Sequence, residues 1–207
     1  MNRKFFEYAG IAASILLIVF GAASVIAGVS GRSTVRNEIA KQQIVGTPDM
    51  TPKAIAGEAK AAGLTNVDLP SCSVAGQAVN SGSRARCFAS YMRVHALEAT
   101  GGQLYSQMPQ YIGRDGKPTE DKTLAAIDPK TKAPVANAAR NVWVTETALT
   151  TALNTSFFAE NVALFSIVMG IALLLAGGGF LVVSLRWLRS RQPTEVPAKA
   201  GQVPVPA

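Results

Sequence analysis

Two runs with no charged side chain, Tyr8 to Gly31 and Asn161 to Leu185, constrain this chain more than anything else in it. A helix over the second run rises about 37 Å, enough to cross a roughly 30 Å hydrocarbon core with some tilt. Both runs therefore predict transmembrane helices, and whatever joins them lies on one side of the membrane. The expected layout is a cytoplasmic N-terminus at 1–7, membrane helices at 8–31 and 161–185, and an extracytoplasmic helical domain at 32–134. A stalk helix at 135–160 continues into the second membrane helix, and a disordered cytoplasmic tail covers 186–207. The fold class expected is all-α, with one disulfide in the outer domain.

Orientation follows from the basic residues beside the runs, because Lys and Arg are retained on the cytoplasmic side. Arg186, Arg189 and Arg191 follow the second run, whereas Asn141 to Glu160 before it holds no Lys or Arg. Arg3 and Lys4 face Arg32 and Arg36 across the first run, so that run alone is ambiguous. Two crossings place both termini on the cytoplasmic side and residues 32–160 outside. Phe5, Phe6, Tyr8 and Trp187 suit the inner headgroup level, and Phe157 and Phe158 the outer one. A cleaved signal peptide ending near Val25-Ile26-Ala27 is the alternative for the first run. Signal cores span roughly 7–15 residues, and this longer run points to retention.

Small residues recur on both runs at heptad spacing: Gly10, Ser14, Gly21, Ser24, Gly28 and Gly31 on the first, and Ala163, Ser166, Gly170, Gly177 and Ser184 on the second. Such seams let helix backbones approach closely where lipid removes any hydrophobic force between them. Packing within the chain, packing between chains and chance composition all fit. The absence of ionisable residues in either run argues against an ion or proton pathway.

Outside the runs the chain reads as helices and turns. The first helix can continue to Ile44 before Gly46-Thr47-Pro48 stops it. Thr51-Pro52 and Gly63 bracket a helix over Pro52 to Ala62. Asn66 to Ser83 reads as loop, and Ser83 as the cap of a helix over Arg84 to Thr100. One face of that helix carries Ala85, Phe88, Met92, His95 and Ala99, making it the expected heart of the domain. Leu104 to Ile112 suits a short piece, and Gly113 to Pro134 reads as turns with one helical turn around Leu124 to Ile127. From Val135 to Arg189 a single unbroken helix is expected, on the register Val135, Ala138, Val142, Thr145, Leu149, Ala152, Ser156 and Ala159.

Chemistry is sparsely signalled. The net charge is +7, but between the runs fourteen basic residues face eleven acidic ones, and no basic stripe interleaved with aromatics marks a nucleic-acid partner. Cys72 and Cys87, an even pair in an oxidising setting, predict a disulfide. Combining Cys72, Cys87 and His95 as metal ligands leaves no fourth ligand and no recognisable spacing, so neither a metal nor a cofactor is expected. His95, the one histidine, has no nucleophile motif around it, and no catalytic residue emerges. Arg84, Arg86 and Arg93 fit either an anion or anionic-lipid contact or a solvated helix face.

The stretch GRSTVRNEIAKQQIVGTPDMTP, the cysteine pair and AENVALFSIVMGIALLLAGGGFLVV together resemble a group of actinobacterial two-pass membrane proteins of unknown function. The resemblance implies a bacterial plasma membrane location and an envelope-facing domain. Members often carry the label aromatic ring-opening dioxygenase, which this chain does not support. Its one histidine cannot supply the two histidines and carboxylate of a facial triad. The expectation is a non-enzymatic envelope protein whose outer domain binds, scaffolds or assembles with a protein partner or a second copy, in contact with membrane lipid. The alternative is a module that senses an extracytoplasmic ligand or lipid.

Overall fold

The computed structural model describes residues 3–189. The chain is mostly helical: α1 covers Arg3–Lys41, α2 Pro52–Ala61, α3 Gly82–Ala99 and α4 Ala139–Arg189. A 3-10 turn at Tyr105–Gln107 and two short strands, β1 at Tyr111–Ile112 and β2 at Pro118–Thr119, complete the elements. Arg191 and the tail from Gln192 lie outside the described residues, as do the side chains of Phe5, Phe6 and Arg189. Two compact units divide the chain, one holding the described residues up to Ile26 and from Ser166, the other Ala27–Phe165.

In the first unit α1 and α4 run antiparallel, and small residues make the contact between them. Ser14, Gly21, Gly170 and Gly177 are buried, while Leu16, Val19, Phe20, Leu175, Phe180 and Val183 point outward. Both helices are long and apolar enough to cross a membrane, and only 11% of each most apolar window is buried. A core helix of a water-soluble protein shows the reverse, apolar side chains inside and polar ones outside.

The second unit has a conventional interior. Thr51 caps α2 by accepting a hydrogen bond from the Ala54 N–H at 3.2 Å, Pro52 sits at the first position, and Gly63 turns the chain away at a φ of +69°. Helix α3 begins earlier than expected, because Ser81, not Ser83, accepts from the Arg84 N–H at 3.4 Å. It ends at Thr100, before Gly101 and Gly102, both in the left-handed region. Tyr91 and Val94 of α3 are fully buried with Ile55 of α2 and Val74 and Val79 of the intervening loop; Ile39 of α1 and Leu153 of α4 close the cluster. Burying each such aliphatic side chain contributes about 1.5–3 kcal/mol. The buried face of α3 is thus centred on Tyr91 and Val94, leaving Met92 and His95 half-buried and Ala99 exposed. The Cys72–Cys87 disulfide forms, tying the loop before α3 to the helix. Closing a loop of this size stabilises by about 3 kcal/mol in the chain-entropy view.

Backbone pairing outside the helices accounts for the other departures. Helix α1 stops at Lys41, with Gln43 in the left-handed region, because the following residues pair with the loop before α3: the Val79 N–H donates to the Ile44 carbonyl at 2.8 Å and the Gly46 N–H to the Gln77 carbonyl at 3.0 Å. A Cβ on Gly46 would lie 2.0 Å from the Val74 carbonyl oxygen, so only glycine fits there. The expected helical turn at Leu124 to Ile127 is absent; Ala125 bridges Gly113, and Ile127 bridges Pro134. With the β1–β2 pair these bridges make a small extended layer, so the second unit is not wholly helical. Helix α4 starts at Ala139 rather than Val135, because the Val135 N–H donates to the Ala126 carbonyl and its own carbonyl accepts from Ile112. Asn137 caps this start, its Oδ1 accepting from the Ala139 N–H at 3.1 Å. Along α4 the half-buried row Val142, Leu149 and Ser156 matches the expected register, but the second row is Glu146, Leu153 and Glu160, one residue on from Thr145, Ala152 and Ala159.

Candidate functional site

Three arrangements place side chains in ways the fold alone does not require. The first is the helix seam. A Cβ on Gly21 would lie 2.8 Å from the Gly170 carbonyl oxygen, and one on Gly170 would lie 2.7 Å from that of Gly21. Gly177 packs on the Ser14 carbonyl at 2.9 Å in the same sense, and Gly10 faces the Ser184 hydroxyl at 3.0 Å. Ser14, fully buried, returns its own hydroxyl to the Gly10 carbonyl at 2.7 Å. Ser24 and Ser166 are half-buried beside this line. In the second unit Gly28 is buried, and Gly31 meets the Ala163 methyl at 3.8 Å. Gly178 and Gly179, next to Gly177, face open space. The seam is thus a contact within the chain, and in the first unit large apolar side chains on other faces of the two helices, such as Val19, Phe20, Leu175 and Val183, are exposed.

The second arrangement is centred on Glu160. Its carboxylate accepts from the Arg36 Nε at 2.7 Å, the Arg32 Nε at 3.0 Å and the Gly82 backbone N–H at 2.6 Å. One buried side chain of α4 therefore holds α1 at Arg32 and Arg36 and supplies an acceptor to the first N–H of α3, where a helix N-terminus favours negative charge. Burial pushes the Glu160 carboxyl up, but the Gly82 N–H and the two guanidinium groups outweigh it and hold the carboxyl below its ordinary value. A Cβ on Gly82 would lie 2.7 Å from the Phe157 Cα, so α3 meets α4 here at backbone distance. Sequence reasoning used Arg32 and Arg36 only as orientation charges and Glu160 only as a boundary. No local pattern joins residues separated by 78 to 128 positions.

The third surrounds His95. Its Nε2 lies 3.0 Å from Asp49 Oδ2 and its Nδ1 3.4 Å from Glu98 Oε2. Asp49 comes from the turn before α2, and Glu58 of α2 brings a further carboxylate to within 4.8 Å of the Asp49 carboxylate and the His95 ring nitrogen. The Thr47 hydroxyl is the main cause of a lowered Asp49 carboxyl, offset in part by burial. On its other side His95 lines a cleft of about 510 Å³ with Met92, Ala96, Val142, Thr145 and the buried Glu146. The sequence contained no sign of this cleft.

The three arginines that fit either an anion contact or a solvated helix face each make a contact of their own. Arg84 donates to the Ala78 carbonyl and Asn80 Oδ1, Arg86 stacks 4.7 Å over the Phe157 ring, and Arg93 lies 5.3 Å from the Trp143 ring centre. Phe157 is thereby covered, while Phe158, Tyr8, Arg186 and Trp187 are exposed. Cys72 and Cys87 are taken up by the disulfide and hold no thiol for catalysis or metal. No family model, curated protein or solved structure matches this chain.

Proposed function

We propose that this is a two-pass membrane protein whose paired helices anchor the disulfide-bonded second unit on the extracytoplasmic face, where that unit binds or scaffolds an envelope protein or a second copy without catalysing a reaction. The observation that carries the anchoring is the reversed polarity of the first unit: glycine and serine lie inside, and large apolar side chains cover the outside. In water such a surface costs roughly 25 cal/mol for every Å² of apolar area left uncovered, and in lipid that cost vanishes. Arg186, Arg189 and Arg191 favour cytoplasmic termini, and the disulfide favours an oxidising side for residues 32–160. After an alkaline carbonate wash the protein should remain with membranes and be released by detergent; recovery in the aqueous wash would refute anchoring. Photo-crosslinkers on exposed positions of the second unit should give discrete adducts in cells, and monomer alone at every position would refute the scaffold.

The His95 cleft favours a second reading, in which the outer domain senses a small ligand. Its apolar wall with a few convergent polar groups has the character of a ligand pocket. Stabilisation of the purified protein by envelope metabolites, lost in Val142→Trp, would support sensing over scaffolding.

A further inference from the structure

We infer that Asp49, Glu58 and His95 form a binding site for a divalent transition-metal cation, with Glu98 orienting the imidazole. The three ligands come from the turn before α2, from α2 itself and from α3, and their ligating atoms all lie within 4.8 Å of one another. Two ligands sharing a tetrahedral ion at about 2.1 Å stand roughly 3.4 Å apart, so His95 Nε2 and Asp49 Oδ2, now 3.0 Å apart, would separate by only a few tenths of an ångström to admit one. The carboxylate of Glu98 on the far ring nitrogen, 3.4 Å from Nδ1, is the usual partner of a metal-bound histidine, fixing the tautomer that presents a lone pair at Nε2.

Charge supplies an independent reason. A neutral imidazole has one N–H and one lone pair, so a carboxylate at each nitrogen leaves a lone pair facing an anion unless a cation stands between them. Protonating the ring would satisfy both nitrogens, yet at most one positive charge would then face the three carboxylates of Asp49, Glu58 and Glu98. All four side chains are partly buried, and among the described residues no Lys or Arg pairs with these acids. A divalent ion at Nε2 neutralises Asp49 and Glu58 and leaves Nδ1–H to donate to Glu98. One nitrogen and two oxygens suit zinc or a neighbouring divalent metal, with water completing the shell, and disfavour calcium and magnesium, which take oxygen ligands.

Isothermal titration of Zn²⁺ into detergent-purified, EDTA-dialysed full-length protein tests the site. Saturable binding of one Zn²⁺ per chain is expected, weakened at least tenfold by His95→Ala or Glu58→Gln and roughly 10–100-fold by Glu98→Gln. Glu120→Gln, in the distant turn region, should bind as the parent does. Should His95→Ala melt early, the two isosteric glutamine variants decide the matter, with circular dichroism confirming their fold. Absence of saturable binding, as expected if the ring is simply protonated between carboxylates, overturns the site; so does undiminished binding by Glu58→Gln, or Mg²⁺ competing as well as Zn²⁺.

Discussion

The two units of this chain solve the same problem of helix association in opposite ways. In the second unit Tyr91, Val94, Ile55 and Leu153 turn inward and polar residues face out. In the first, the contact is made by Gly21, Gly170, Gly177 and Ser14, and the large apolar side chains face out. Where water is the solvent, burying a large apolar side chain is the force that holds helices together. Where the surroundings are themselves apolar that force is gone, and close backbone approach between small residues takes its place. One polypeptide therefore carries the signatures of two solvents.

The largest effect that separates the units is a buried charge. Val94→Asp, with no partner for the carboxylate, should cost the second unit about 3–5 kcal/mol and abolish its near-ultraviolet circular dichroism. Leu175→Lys, on the exposed face of α4, should leave that signal unchanged and lower membrane insertion instead, a charge at mid-helix costing about 2.5–3.5 kcal/mol. Equal sensitivity of the two signals to both variants would break the comparison. Next comes the staple: Cys72→Ser with Cys87→Ser should destabilise the second unit by about 3 kcal/mol in thermal melts, and an unchanged melt would remove the disulfide from the account.

Within the first unit the contrast sharpens between glycines eight residues apart. Gly170→Leu forces atoms into the Gly21 carbonyl and should cost the helix pair about 1–3 kcal/mol, measured by SDS titration from mild detergent. Gly178→Leu, facing open space, should fall within error of the parent. Matching losses at both positions would mean that the seam is not the contact.

The smallest effect tests Glu160. Its folded carboxyl titrates below the ordinary value near 4.5, so its contribution is fully present above that value and is lost as the pH falls through the lowered folded one. Glu160→Gln should cost about 1–2 kcal/mol near neutrality, the half-exposed arginine partners limiting it through solvent screening. The gap to the parent should close as acidification passes below about 4.5. A gap that is independent of pH would contradict the charged clamp.

How much of this was legible in the sequence depended on the range of each interaction. Thr51-Pro52 and Gly63 act within a turn, so α2 could be placed to within a residue of its observed end. The glycines and serines of the two apolar runs repeat at the helical period, which marked them as one face before any partner was known. Gln42 to Ile44 looked like helix because the partner that takes the Ile44 carbonyl, the Val79 N–H, is distant in sequence. Backbone bridges leave no side-chain signature. The same holds for Glu160 with Arg32 and Arg36, and for Asp49, Glu58 and His95: each cluster is assembled by helix packing, and common charged residues at such separations carry no motif. The cysteine pair was the exception, a long-range contact whose chemistry is written in the residue type.

The proposed topology puts the first unit in lipid and the second outside the cell membrane. With both native cysteines in the disulfide, single cysteines at Lys130, exposed in the second unit, and at Leu175, exposed in the first, can be probed with a membrane-impermeant maleimide in intact cells. The account predicts rapid labelling of Lys130→Cys before lysis and none of Leu175→Cys. Labelling of Leu175→Cys as fast as Lys130→Cys, or labelling of Lys130→Cys only after the membrane is opened, would contradict it.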